Sequence, residues 1–256
     1  MLETLRNALM PKATPTFANL APKASRLPID PAAIHEGFVI TVANQKGGSG
    51  KTTVSMQLAG ALVRQGYKVL VVDADRQNSA IRWSSASDEP FPAAVVNLAE
   101  HKNLHSEIAR LAKDYHFVLV DCPPSADATA TARVLPISTL VIVPLVPSPT
   151  DMWATMGIKM AITQAQAMNP YLQARLLINQ MQPRTRLARG VLEVVNEFDL
   201  PLFETQLHQR TVYREAAMIG STVFGLQHAE AITEIEQLTR EVLETLAHPP
   251  AVSEQQ

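Results

Sequence analysis

Short apolar runs recur along the chain from Phe38 onward, with helix-like stretches between them. The runs cover 38–43, 68–73 (Lys-Val-Leu-Val-Val-Asp), 94–98, 116–121 (His-Phe-Val-Leu-Val-Asp), 139–143 (Thr-Leu-Val-Ile-Val) and 174–178 (Ala-Arg-Leu-Leu-Ile). They are short and β-branched, as strands buried on both faces are. Thr53–Gln65 reads as a helix stopped by Gly66, a residue suited to the turn past a helix end. Asp151–Met168 reads as a helix behind Thr150 as N-cap, and 228–247 as the last helix. This alternation predicts an α/β fold: a doubly wound, mostly parallel β-sheet with helices on both faces. Ligands on such sheets bind at the carboxyl ends of the strands.

The two ends of the chain depart from this rhythm. Residues 1–36 hold Pro11, Pro15, Pro22, Pro28 and Pro31 and little periodicity, which predicts a flexible or loosely docked Pro-rich N-terminal extension. Leu2, Leu5 and Leu9 could form one face of a short helix, so a partner-binding or ATP-regulating arm is the alternative to a plain tail. The folded domain is expected over 37–248, followed by a disordered tail at 249–256.

Composition narrows the function classes. A chain of 256 residues, 46% hydrophobic, can bury a substantial core. A formal charge of −2 gives no global pull toward nucleic acid or anionic lipid, so any such contact must be local. Cys122 is the single cysteine, which excludes an intrachain disulfide and a cysteine-based zinc site. Glu3 and Arg6 interrupt the N-terminus without an apolar segment behind them, unlike a signal peptide. The longest uncharged run, Val134 to Thr150, is broken by Pro136, Pro144, Pro147 and Pro149 and is too short to span a bilayer. A soluble, cytoplasmic protein is the expectation.

The chemistry begins right after the first apolar run. Lys46-Gly47-Gly48-Ser49-Gly50-Lys51-Thr52-Thr53 places glycines where a backbone must curl and turn its N–H groups inward. Such a nest at a helix start cradles phosphate oxygens. Lys51 would reach the terminal phosphates and the Thr52 hydroxyl would bind Mg²⁺, so a nucleoside triphosphate is the expected ligand. The fit to the P-loop pattern is imperfect, because Gln45 stands where glycine is asked for and Lys46 is an additional lysine. Two acidic sites follow. Asp121 ends a strand and precedes Cys122-Pro123-Pro124, the place of an acid that holds a Mg²⁺ shell. Asp73 and Asp75 close the second strand, and alternation would point both carboxylates the same way, one to the metal shell and one to the attacking water.

Together these motifs resemble the deviant-Walker ATPases of the ParA/MinD family, P-loop NTPases of the SIMIBI type. Ile81-Arg82-Trp83, Pro147-Ser148-Pro149-Thr150-Asp151 and Gln209-Arg210-x-x-Tyr213-x-Glu215-Ala216 resemble the small plasmid-partition (ParF-like) branch. The resemblance spans about 38–247 and implies ATP and Mg²⁺ as cofactors. It implies that Lys46 reaches the partner's phosphates across a nucleotide-sandwich homodimer, acting like an arginine finger. Lys51 and Thr52 match the P-loop lysine and metal ligand. Asp75 matches the acid needed for hydrolysis, Asp73 its neighbour in the switch, Asp121 the Walker-B acid and Asn179 an adenine contact. Arg76 stands where the family has proline after the second acid, which leaves the switch looser and the hydrolysis rate open.

Between 175 and 214 every basic residue is arginine: Arg175, Arg184, Arg186, Arg189, Arg210 and Arg214. By itself the cluster fits either DNA backbone or a solvated helix face paired with Glu193 and Glu197. The family, whose ATP-bound dimers bind DNA non-specifically, tips the reading to DNA, with Arg184, Arg186, Arg189, Arg210 and Arg214 as contacts. Membrane binding of the MinD kind needs a basic amphipathic C-terminal helix, whereas the last helix here carries Glu230, Glu234, Glu236, Glu241 and Glu244. A nitrogenase-iron-protein role needs two cluster cysteines per subunit. The resemblance therefore implies a nucleoid-associated switch that hydrolyses ATP, weakly and with partner and DNA stimulation. Its expected work is segregation of plasmid or chromosomal DNA with a ParB-type partner. The alternatives are positioning of a protein cargo such as carboxysomes or chemoreceptor clusters, and an ATP-binding scaffold without hydrolysis.

Overall fold

The strands line up in the order β3-β2-β4-β1-β5-β6, every pair parallel. The structure is a computed structural model and describes residues 28–124, 128–183 and 198–250. In chain order the elements are β1 (Phe38–Val42), α1 (Lys51–Arg64), β2 (Val69–Asp73), α2 (Ser79–Ser84), β3 (Ala94–Asn97), α3 (Leu104–Leu111), β4 (Phe117–Asp121), α4 (Ala128–Val134), β5 (Leu140–Leu145), α5 (Pro149–Met168), β6 (Gln173–Ile178), α6 (Thr211–Met218) and α7 (Ala229–Ala247). All six expected strands are present to within two residues at either end, and so are the three expected helices.

The period of two along each strand sorts its side chains into two cores. Ile40, Val42, Val69, Val71, Phe117, Leu119 and Leu140 face α1 and α7. Val39, Leu70, Val72, Val118, Val120, Val141 and Val143 face α3 and α5. Each such aliphatic side chain withdrawn from water contributes about 1.5–3 kcal/mol, so a sheet buried on both faces outweighs any single connection.

Register matters most for function. Val42 pairs with Asp121, and Asp121 with Asp73. The two strand-end acids therefore sit level with the last residue of β1, whose following loop is the glycine-rich turn.

The outer edge of β6 is covered by its own chain. The Leu176 amide donates to Pro201, the Phe203 amide to Leu176 and the Leu207 amide to Ile178, at 2.8–2.9 Å. This extended segment satisfies an otherwise open sheet edge and delivers 208–210 to the functional end of the sheet.

Part of the N-terminal extension is described. Residues 1–27 lie outside the described residues, but 28–36 are docked. Pro31–Ala33 forms a short 3-10 turn capped by Asp30. Ile29 and Ile34 pack on the core, and the Tyr67 hydroxyl donates to the Ile29 carbonyl at 2.6 Å. Of the expected tail, 251–256 lie outside the described residues.

Candidate nucleotide-binding site

The turn after β1 is held from three sides. Asn44, 2% exposed, donates to the Pro144 carbonyl at 2.7 Å and accepts the Lys46 amide at 3.2 Å. Asn179 donates to the Ser49 carbonyl at 2.7 Å, and Gln180 to the Gly48 carbonyl at 2.7 Å. Gln45, the departure from the glycine pattern, packs so closely against α5 that a Cβ on Gly157 would lie 2.2 Å from its Oε1. Gly48 and Gly50 adopt φ of 80° and 90°, the left-handed region that glycine occupies without strain. A Cβ at Gly50 would also strike the Asn179 amide nitrogen at 2.2 Å. Gly50 caps α1, so the loop ends on the N–H groups of a helix start, where anions are favoured.

Charges crowd on the sheet side of this loop. Lys51, 7% exposed, donates to the Lys46 carbonyl at 3.1 Å. Burial lowers its pKa, opposed by Asp121, Cys122 and Asp75. The Thr52 hydroxyl donates to Asp121 Oδ2 at 2.7 Å, while the buried Asp121 Oδ1 has no partner among the described residues. Burial and the nearby Asp73 and Asp75 push the Asp121 carboxyl up to about 7, against the pull of Thr52 and Lys51. Hard divalent cations take oxygen ligands, and the Thr52 hydroxyl beside an unsatisfied carboxylate oxygen is a set of that kind. Lys46 differs from Lys51: it is exposed, and its ammonium makes no ion pair among the described residues.

The paired acids of the second motif diverge. Asp75 lies past the strand end, partly exposed, and its Oδ1 accepts the Gln77 amide at 2.9 Å. Asp73 is fully buried: Oδ1 accepts the Asp75 amide at 3.1 Å, and Oδ2 the Ala80 and Ile81 amides at 2.9 and 3.1 Å. Its oxygens are committed to the turn and the start of α2. Asp73 thus holds the turn after β2 and the start of α2, and strand alternation does not reach Asp75, which lies past the strand end. Burial raises its pKa, against those three amides.

A cavity of about 120 Å³ opens on the other side of the loop, lined by Gly50, Thr53, Asn179, Gln209, Arg210 and Arg214 among others. Asn179, the expected base contact, lines it and also clamps the loop. Arg210, expected in a DNA-facing cluster, lines this cavity with its guanidinium bound to Glu234 at 2.6 Å. Arg214 is exposed at the cavity rim. Arg184, Arg186 and Arg189 lie outside the described residues.

Sequence reasoning missed Asn44, Gln180 and Glu234. Asn44 had a usable signal, a lone amide between an apolar strand and the glycine turn. Glu234 had one too, an acid inside the apolar stripe of the last helix. Gln180 had none, since its φ of 53° and its reach to Gly48 are set by the fold.

A family model described as the CobQ/CobB/MinD/ParA nucleotide binding domain matches residues 40–223. The maintenance of carboxysome distribution protein A of Halothiobacillus neapolitanus is 34% identical over 214 residues, 82% of this chain and 99% of that protein. The chromosome-partitioning ATPase Soj of Thermus thermophilus is 30% identical over 222 residues, 74% of this chain and 88% of that protein. The septum site-determining protein MinD of Pyrococcus horikoshii, solved with Mg-ADP, has the same fold, with a TM-score of 0.68 at 22% identity over 83% of this chain and 99% of that one. On the strength of the loop, the strand-end acids and these matches, the chain belongs to the CobQ/CobB/MinD/ParA family of nucleotide-binding domains.

Proposed function

We propose that the chain is an ATP- and Mg²⁺-dependent switch that closes into a face-to-face homodimer, binds DNA non-specifically in that form and hydrolyses ATP to ADP and phosphate to let go. The carrying observation is that one strand register brings the glycine turn, Lys51, Thr52 and Asp121 together. Loop amides and Lys51 hold the phosphates. Thr52 and Asp121 hold Mg²⁺, which when bound neutralises charge developing on the transferred phosphoryl group. Asp75 orients the attacking water. The exposed Lys46 supports a role in trans, since nothing described in its own subunit engages the ammonium. Slow turnover, stimulated by DNA and a partner, would make the bound state a timer in a cytoplasmic, nucleoid-associated protein. Among the described residues no helix is long and apolar enough to cross a membrane.

Two cargoes are in view. Segregation of plasmid or chromosomal DNA with a ParB-type partner is supported by relatives such as the Thermus Soj protein. Positioning of a protein cargo is favoured by a specific observation, the 34% identity to a carboxysome distribution protein over 82% of the chain. A small DNA-binding protein encoded next to this chain would favour the first reading, and a cargo-associated adaptor the second.

The test of the switch is a DNA titration with ATP, ADP and no nucleotide. Tight, salt-sensitive binding should appear with ATP alone. Equal binding in all three states, or failure to bind ATP, would sink the proposal. Lys46→Ala should retain nucleotide yet remain monomeric by light scattering.

A further inference from the structure

One carboxylate of the last helix gathers the loop that borders the cavity. Glu234 lies on α7 in the stripe formed by Ala231, Ile235, Leu238 and Val242, and is 8% exposed. Arg210 donates to its Oε1 from Nη2 at 2.6 Å and from Nε at 3.2 Å. His208 Nδ1 lies 2.9 Å from the same oxygen. Oε2 accepts the His208 amide and the Tyr213 hydroxyl, each at 3.2 Å.

A buried carboxylate is costly unless its oxygens are fully engaged, and an apolar residue would fill this stripe without that cost. What the acid adds is direction. It fixes the side chains of Arg210, His208 and Tyr213 and the backbone at 208. Burial works against the charge, but the Arg210 guanidinium and the His208 amide outweigh it and hold Glu234 below the usual carboxylate range. Burial beside Glu234 pushes the Tyr213 hydroxyl up, which keeps it a donor.

All three held residues line the cavity with Gly50, Thr53 and Asn179. Thr53 follows Thr52, so it points about 100° around the helix from the hydroxyl that meets Asp121. The cavity therefore lies off the side of the loop that carries the Thr52–Asp121 contact, and on the reading above a nucleotide with its phosphates in the loop would lay its nucleoside there.

We infer that Glu234 is a positioning residue for the nucleoside half of the site: through Arg210, His208 and Tyr213 it shapes the surface that receives base and ribose. The inference rests on the nucleotide-binding reading above. It predicts that Glu234 governs how well the site distinguishes a nucleotide from bare phosphates.

Calorimetric titration of the full chain with Mg-ATP and with Mg-tripolyphosphate tests this. Glu234→Gln keeps the shape of the side chain and removes its charge. It should weaken Mg-ATP about tenfold, the worth of a charged hydrogen bond, and leave tripolyphosphate within about twofold. Arg210→Ala should give a similar selective loss, and the double variant little beyond either single one, as expected for groups acting as a unit. Should Glu234→Gln fail to fold, Arg210→Lys, which keeps the charge but loses the two-pronged contact, carries the same comparison. Equal weakening of both ligands, as a purely structural role would give, overturns the inference, and so does an unchanged preference for ATP. A parent protein that binds neither probe overturns the nucleotide reading itself, a distinguishable result.

Discussion

The two halves of the site treat charge in opposite ways. On the phosphate side, Asp121 keeps a buried oxygen without a partner among the described residues, its carboxyl is pushed up to about 7, and burial lowers Lys51. On the side we propose receives the nucleoside, Glu234 collects five contacts and sits below its ordinary range. The first half is electrostatically incomplete and gains when an anion and a cation arrive. The second is complete without a ligand and acts as scaffold. Buried charge thus marks a binding locus where it is unsatisfied and a positioning device where it is satisfied.

Removing a charge from each half should have different consequences. The largest effect is Lys51→Ala, which takes the cation from the phosphate side. Mg-ATP affinity should fall by roughly a hundredfold or more, because charged contacts to phosphate are the strong ones. The melting temperature of the ligand-free protein should move by only a few degrees. A large stability loss with binding retained would reverse the assignment of the halves.

Glu234→Ala should instead fall first on the stability of the ligand-free protein. Stranding Arg210 and the Tyr213 hydroxyl next to a void should cost about 2–4 kcal/mol, or roughly 5–15 °C in melting temperature for a chain of this size. Calorimetry on the ligand-free protein reads it. A shift under a degree or two would mean that the carboxylate is not the anchor its contacts describe.

The pH dependence sharpens the comparison further. The Asp121 carboxyl titrates near 7 in the folded chain against an ordinary 3.8. The folded state then holds a proton that the unfolded state has released. Stability from this group is complete below its ordinary value and is lost as pH rises through about 7. At 1.36 kcal/mol per unit this is on the order of a few kcal/mol. Glu234 has the opposite sign: its contribution is present above the usual carboxylate range and fades on acidification. Melting temperatures of ligand-free parent and Asp121→Asn, taken from about pH 5 to about pH 8, should diverge as pH rises, the parent falling below the neutral variant. Parallel curves would mean that Asp121 stays ionised throughout. Saturating Mg-ATP should flatten the parent curve by holding the anion.

The same contrast governs how much could be foreseen. Strands and the phosphate half were legible because they are local. Periodicity marks Val69–Asp73 and Phe117–Asp121, and glycine spacing marks the turn at 47–50. The nucleoside half is assembled over distance. Glu234 meets Arg210 only because the segment after Pro201 runs along β6 and α7 packs over α1. Asp73 and Asp75 looked equivalent from alternation, yet β2 ends at Asp73, and the following turn folds its amides back onto that carboxylate. Turn geometry of this kind has no period to read.

The smallest expected effect tests the boundary between the halves. The Gln180 side chain donates to the Gly48 carbonyl at 2.7 Å while its own φ of 53° holds it in the left-handed region. Gln180→Ala deletes the hydrogen bond and keeps the unfavourable backbone, whereas Gln180→Gly deletes the bond and relieves that strain. One such bond is worth about 1 kcal/mol, so Gln180→Ala should weaken Mg-ATP and Mg-tripolyphosphate alike, by roughly fivefold. Gln180→Gly should show the same affinity loss with up to about 1 kcal/mol better stability than Gln180→Ala. Because Gly48 belongs to the phosphate nest, equal weakening of both ligands places Gln180 with the phosphate half. A loss confined to ATP would move the border between the halves to the far side of Gly48.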